Sequence, residues 1–356
     1  MVFLVGPRQV GKTWLAKEIS KDYASPLYLN YDSNKDREII LDESWLPSTD
    51  LLILDEIHKM PAWKNYLKGV FDNKPDNMHI LVTGSARLEA FRQSGDSLAG
   101  RFFVHHLLPF SYKESLLDKK FTLDFLIQRG GFPEPLLAEN MEEVTRWRML
   151  YADSLIKDDI LDFENIQEIK TMRTLLSLLQ KKVGSPLSYM TLARDLEKSP
   201  HTIKKYIQIL ESLYIIFLIL PFSRNIARSL QKEPKLYFYD TGMVNGDAGV
   251  MYENYLAVSL LKHCQYLADT KGINARLQYI RTKEKKEVDF CLTEDEMPVL
   301  LVEAKTSDSA LSNSLYYFQN KYNIPATQVV RYLNKERIKD NITIRKAETF
   351  LSELSI

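Results

Sequence analysis

Along the first 110 residues, short apolar runs rich in β-formers alternate with stretches of helical rhythm. The strand candidates are VFLVG (2–6), PLYLNY (26–31), LLILDE (51–56), HILVTGS (79–85) and FFVHHLL (102–108). Several are nearly continuous apolar runs, the pattern of strands buried on both faces of a sheet. An α/β domain with a largely parallel sheet is expected. From about 111 to 165 the pattern turns helical, interrupted at RGGFPEP (129–135), whose Gly and Pro residues stop any helix. Residues 166–245 read as several helices and one short strand, KLYFYD (235–240). Within them Tyr189–Leu196, a turn EKSP and His201–Leu213 have the spacing of a helix-turn-helix, with Ser199 as N-cap and Pro200 at the first helical position. NGDAG (245–249) marks a boundary. Beyond it a helix around Glu253 precedes the strands LQYIRT (277–282), EVDFCLT (287–293) and VLLVEAKT (299–306). A helix over 309–323 and a strand TQVVRYL (327–333) follow.

Composition narrows this picture little. The 356 residues suit two or three domains. The 47 Lys plus Arg balance 47 Asp plus Glu, so any case for nucleic-acid binding rests on local patches. Two cysteines, Cys264 and Cys291, form neither a metal-ligand pair nor a disulfide framework, and a reducing, cytoplasmic setting is expected. Pro7, Arg8, Gln9 and Lys12 interrupt the apolar start, so no signal peptide is read there. The most apolar later stretch, LYIIFLILPF (213–222), is about half a membrane span and reads as buried core.

The strongest chemical signal is GPRQVGKT (6–13), which fits G-x-x-x-x-G-K-[ST] between a strand and a helix. Gly6 and Gly11 let the loop Gly6, Pro7, Arg8, Gln9, Val10 and Gly11 curl its amides around phosphate oxygens. Lys12 would reach the β- and γ-phosphates of ATP and Thr13 would ligate Mg²⁺ at a helix N-terminus. LLILDE then reads as a buried strand ending in paired acids: Asp55 to hold Mg²⁺ and Glu56 to activate the attacking water. On HILVTGS a polar residue would sense the γ-phosphate, with Ser85 preferred to Thr83. Arg8 and Arg101 are candidates for stabilising developing charge.

With LLILDEIHKMPAW, LVTGSARL, LAGR, LLPFSYKE and GGFPE, the loop resembles the prokaryotic AAA-type ATPases that carry a restriction-endonuclease-like C-terminal domain. The resemblance covers nearly the whole chain. It implies a sensor strand between the loop strand and the LLILDE strand, then a small helical lid. Relatives usually carry a helical segment before the first strand, where this chain starts directly. Either an incomplete start or missing base-contacting groups is expected from that.

The second signal is EVDFCL followed by LLVEAKTS. Residues two apart on a strand share a face, so Glu303 and Lys305 project together, and Asp289 on a neighbouring strand could join them. The order helix-Glu, strand-Asp, strand-Glu-x-Lys, helix, strand is that of the PD-(D/E)xK nuclease fold. Glu253, Asp289 and Glu303 would offer oxygens to Mg²⁺, and Lys305 would position or deprotonate a water. His201, Thr202, Lys204 and Lys205 stand where a helix-turn-helix reads DNA, and Arg224, Arg228, Lys232 and Lys235 where a basic wing would grip phosphate.

The expected protein is therefore an α/β multidomain chain. It has a P-loop AAA-like parallel sheet (1–112), a helical lid (113–165), a winged-helix middle (166–245) and a PD-(D/E)xK nuclease-like α/β C-terminal domain (246–356). ATP, Mg²⁺ and DNA are its expected ligands, with room for a protein partner or self-association and no membrane. The competing expectation is a nucleotide-gated regulator or scaffold whose nuclease-like fold is catalytically silent.

Overall fold

The structure is a computed structural model, and it describes residues 1–84, 98, 100–116, 118, 120–155, 169–223, 232–307 and 310–356. The chain folds into two compact units, Met1–Leu108 with Ser212–Tyr214, and Pro109–Glu211 with Ile215–Ile356.

In the first unit the elements run β1 (Val2–Val5), α1 (Lys12–Ile19), β2 (Pro26–Asn30), α2 (Asn34–Asp42), β3 (Leu51–Asp55), α3 (Trp63–Asn73), β4 (His79–Thr83) and β5 (Phe103–His106). All five expected strands are present and pair in parallel in the order β2-β3-β4-β1-β5. The β4 strand thus lies between β1 and β3, as the resemblance implies. The apolar runs are continuous because alternate residues feed two cores. Leu52 and Leu54 pack with Phe3, Val5 and Val82 on one face, while Leu51 and Ile53 pack with Leu4 and Leu81 on the other. Asn30, Asp55 and Thr83 are register partners, so three polar groups stand side by side at the carboxyl ends of the strands. In open α/β sheets that edge is where ligands bind.

The second unit begins with short helices: α4 (Tyr112–Ser115), α5 (Leu123–Arg129), α6 (Pro133–Leu137) and α7 (Met141–Ser154). The SYKE segment starts α4 with a reciprocal cap, Ser111 accepting from the Glu114 amide and Glu114 from the Ser111 amide. GGFPE has a packing reason: a Cβ on Gly131 would come within 2.5 Å of the Phe110 carbonyl oxygen. Then come α8 (Ile169–Gln180), α9 (Tyr189–Asp195), α10 (Pro200–Ser212) and an antiparallel strand pair, β6 (Ile216–Ile219) with β7 (Lys235–Phe238). Ser199 accepts from the Thr202 amide and caps α10. The β6 strand comes from the apolar stretch expected to be core, and it is buried at three of its four residues.

Helix α11 (Ala248–Lys271) leads into β8 (Ala275–Arg281), β9 (Glu287–Glu294), β10 (Met297–Ser307), α12 (Asn313–Tyr322), β11 (Ala326–Tyr332), β12 (Arg337–Lys339), β13 (Ile342–Lys346) and α13 (Ala347–Glu353). The sheet is mixed, ordered β12-β13-β11-β10-β9-β8. Its β8, β9 and β10 strands are antiparallel neighbours, while β11 runs parallel to both β10 and β13. Asp247 caps α11 by accepting from the Gly249 and Val250 amides, and left-handed Gly272 ends it. No described helix is long and apolar enough to cross a membrane.

Glu211, near the end of α10, is largely buried, and burial pushes its carboxyl up to about 7 despite a hydrogen bond from the Leu218 backbone. A carboxyl whose folded pKa exceeds its unfolded value stabilises the fold below the unfolded pKa and loses that contribution as pH rises through the folded one. The fold should therefore melt at lower temperature as pH is raised from about 5 to about 8. Glu211→Gln should flatten part of that slope in thermal melts, and parallel slopes for the two proteins would contradict the assignment.

Candidate functional site

The loop between β1 and α1 is built for close backbone approach. Gly6 has φ 146°, and a Cβ there would lie 2.1 Å from the Leu107 carbonyl oxygen. Gly11 caps α1 at φ 103°, a left-handed conformation that glycine adopts without penalty. Pro7 and Val10 are buried, Arg8 is half-buried and Gln9 is exposed. Lys12 is buried, and its ammonium donates to the carbonyls of Gly6 at 3.0 Å and Pro7 at 2.5 Å. The lysine therefore lies along its own loop.

Asp55 organises the site. Its carboxylate is buried and accepts three hydroxyl hydrogen bonds from three elements. Thr13 of α1 donates to Oδ2 at 2.9 Å, Tyr28 of β2 donates to the same oxygen at 2.8 Å, and Thr83 of β4 donates to Oδ1 at 2.6 Å. Burial, reinforced by Asp55, holds the Tyr28 phenol well above its usual range, so it remains a donor. A buried carboxylate without such partners would cost several kcal/mol, on the order of a lost charge-assisted hydrogen bond or more. A hydroxyl and a carboxylate in contact at a helix N-terminus form a hard-oxygen pair suited to Mg²⁺.

Glu56 follows Asp55 with φ 56°, a left-handed conformation unusual outside glycine, and its amide donates to the Thr83 carbonyl at 3.1 Å. Its carboxylate lies 3.6 Å from His58 Nε2 and 3.5 Å from Lys59 Nζ, and Lys59 reaches Asp32 at 2.6 Å. Burial raises the Glu56 pKa, opposed by Lys59 and, more weakly, by Arg8. The structure thus brings Lys12, Thr13, Asp55 and Thr83 to one strand edge, with Glu56 next in the chain. Arg101 is engaged elsewhere, donating to both oxygens of Asp72 at 2.8 and 3.2 Å. Ser85 lies outside the described residues, and Thr83 is the β4 hydroxyl seen on Asp55. Tyr28 was not singled out from sequence, since a tyrosine in an apolar strand carries no motif.

The second constellation lies in the second unit, where β7, α11, β9 and β10 meet. Asp289 of β9 accepts from the Ala304 amide at 3.0 Å, and Lys305 pairs with Glu303 at 2.8 Å, as their shared face requires. Glu253 of α11 accepts from the Tyr237 hydroxyl at 2.7 Å, and left-handed Gly184 allows its approach, because a Cβ there would lie 2.7 Å from the carboxylate. Burial and the neighbouring Asp289 raise the carboxyl pKa of both Glu253 and Glu303. Glu303 Oε2 is buried without a hydrogen bond of good geometry, although the Ser312 side chain acts on this carboxyl to lower its pKa.

Lys235 enters this cluster and departs from the sequence expectation. Instead of offering a basic wing to phosphate, it is buried at 1% exposure. Its ammonium lies 2.8 Å from Glu287, 3.6 Å from Asp289 and 3.9 Å from Glu253. Burial alone would depress its pKa, but Asp289, Glu253 and Glu287 together hold it above its usual value. Glu287 also takes Arg281 at 3.1 Å. Glu287 was missed although it sits two residues from Asp289, on the same strand face. Lys232 is exposed, while Arg224 and Arg228 lie outside the described residues. Among the described residues no group of three or more His, Cys, Asp or Glu is arranged to hold a metal ion.

Comparison with known proteins bears on the first unit. Residues 1–116 match a family model described as an AAA domain. Residues 120–252 and 248–348 match two models described as domains of unknown function (DUF8612 and DUF4143). An uncharacterized protein of Mycobacterium tuberculosis is 25% identical over 331 residues, the match covering 88% of this chain and 72% of the relative. One from Methanocaldococcus jannaschii is 26% identical, covering 81% and 71%. Among solved structures, a point variant of Thermotoga maritima RuvB shares 19% identity with a TM-score of 0.31, over 61% of this chain and 80% of that one. The Aeropyrum pernix Orc1 protein in complex with DNA shares 15% with a TM-score of 0.33, over 72% and 86%. The loop, the strand order and the family match all liken the first unit to AAA-type P-loop domains.

Proposed function

We propose that this chain binds and hydrolyses ATP with Mg²⁺ and uses the cycle to act on DNA. The observation that carries the reading is the Thr13–Asp55 contact of 2.9 Å beside the Lys12 loop. Gly6 to Thr13 would cradle the phosphates with their amides, and Lys12 would turn from the Gly6 and Pro7 carbonyls to the β- and γ-phosphates. Thr13 and Asp55 would hold Mg²⁺. Glu56, already raised in pKa by burial, would orient and deprotonate the attacking water. Thr83 or Ser85 would register the γ-phosphate. Of the two arginines, Arg8 acts electrostatically on Glu56, whereas Arg101 would first have to leave Asp72. Loop contacts made to the γ-phosphate and lost on hydrolysis would supply the switch.

DNA is the proposed substrate because α9 and α10 keep the helix-turn-helix spacing, with the β6–β7 pair following in the position of a wing. His201, Lys204 and Lys205 at the start of α10 are exposed, on the part of the helix that would meet phosphate or base edges. One observation favours the second reading, a nucleotide-gated regulator or scaffold with a silent nuclease-like fold. The buried Lys235 ammonium already neutralises the acids that a nuclease would give to metal.

Glu56→Gln should leave Mg·ATP binding intact and cut turnover by about 10²–10⁴-fold, the range for loss of a general base. Unchanged turnover in a phosphate-release assay would remove Glu56 from that role. Replacing Lys204 and Lys205 by Ala should weaken DNA binding for all sequences alike and reduce the salt slope by about two. An unchanged slope in a fluorescence-anisotropy titration would take α10 off the DNA and favour the regulator.

A further inference from the structure

Four carboxylates, Glu253, Glu287, Asp289 and Glu303, gather where β7, α11, β9 and β10 meet, and three protein cations are threaded among them. Lys305 and Arg281 approach from the margin, at 34% and 30% side-chain exposure. Lys235 does not: at 1% exposure its side chain is as deep as any charged group described in the unit, and three of the four carboxylates converge on it. The alternation of β7 aims it there, because Lys235 and Tyr237 share a face and Tyr237 holds Glu253 at 2.7 Å. Strand pairing fixes the same residue, since Lys235 is the register partner of Ile219 on β6.

A lysine buried this fully needs a reason, because moving an unpaired ammonium out of water costs several kcal/mol, on the order of the effective penalty per buried ion. Its three acidic neighbours supply that reason, and it answers theirs. A divalent ion at the same point would have to share the space with the ammonium, and like charges a few ångströms apart in a poorly screened interior repel strongly. One oxygen of each of three acids is also committed. Asp289 Oδ2 accepts from the Ala304 amide, Glu253 Oε1 from Tyr237, and Glu303 Oε1 takes Lys305. The oxygens left without a hydrogen bond are Glu253 Oε2, Glu303 Oε2 and Asp289 Oδ1, and the last already lies 3.6 Å from the Lys235 ammonium. With that ammonium in place the residues present do not fit a resident Mg²⁺.

We propose that Lys235 is the built-in cation of this acidic centre, standing where a divalent metal would sit, and that the centre is therefore a metal-excluding ion cluster that fastens β7 to the sheet. The inference is independent of nucleotide chemistry in the first unit. It identifies one side chain that keeps metal out, and it makes removal of that side chain a route to metal binding.

Mn²⁺ is the probe. Full-length protein is titrated with it in the absence of nucleotide, and free Mn²⁺ is read from its electron paramagnetic resonance signal at about 100 µM, where even weak carboxylate sites would register. The wild type should take up no Mn²⁺ that Asp289→Asn abolishes. Lys235→Met, which keeps the volume of the stem and removes the charge, should gain one bound Mn²⁺, lost again on adding Asp289→Asn. Should Lys235→Met fail to fold for want of a counter-charge, Lys235→Met with Glu287→Gln removes one acid with the base and is read in its place. Wild-type binding of one Mn²⁺ in an Asp289-dependent manner would overturn the proposal. So would a folded Lys235→Met protein that binds none, since the ammonium would then not be what keeps metal out.

Discussion

A buried carboxylate must be satisfied, and in the first unit the satisfaction of Asp55 ties the site together. Three hydroxyls, on α1, β2 and β4, converge on its two oxygens. Each donor belongs to a different element, so the hydrogen bonds fix the helix after the phosphate loop and both neighbouring strands against β3. The parallel register makes this convergence possible: Asn30, Asp55 and Thr83 are level with one another at the strand ends. The loop then has one geometry available, with Gly6 pressed on the Leu107 carbonyl and Gly11 left-handed at the start of α1. Lys12, Thr13 and Glu56 take their places from this frame.

The second unit solves a similar problem in the opposite way. Its acids are too many for hydroxyl and amide donors alone, and protein cations close the balance. Lys235 is buried among three of them, while Lys305 and Arg281 stay partly in solvent. A carboxylate held by neutral donors beside a threonine hydroxyl remains open to a divalent ion, whereas one facing a buried ammonium does not. On the proposals made above, the two acidic centres of this chain differ in what they would accept.

Much of this was legible in the residues, and the physical reason is locality. GPRQVGKT and LLILDE carry their chemistry within a few positions, so strand, turn and helix follow from the same short stretch that names the ligands. The five strands of the first unit and the Glu303–Lys305 pair are legible on the same ground, since continuous apolar runs and the two-residue period leave few alternatives. What escaped was non-local. Tyr28 matters because its strand lies beside β3, which nothing in PLYLNY announces. Lys235 looked like part of a basic wing because its sequence neighbours are charged, and its acidic partners lie from 18 to 54 positions away in the chain. Glu287 was within reach, two residues before Asp289, had its strand face been followed. The β12, β13 and α13 elements carry weaker patterns, and β12 is exposed along its whole length, which removes the apolar signal a strand usually gives.

The central claim is that the Lys12 loop and the Asp55 cluster form one magnesium-dependent ATP site. Isothermal titration calorimetry of the full-length protein with ATP tests it most directly, run with Mg²⁺, with a chelator, and with Lys12→Ala. The account predicts saturable uptake of one ATP per chain that weakens on chelation and is lost in the variant. Heats indistinguishable among the three titrations would contradict it.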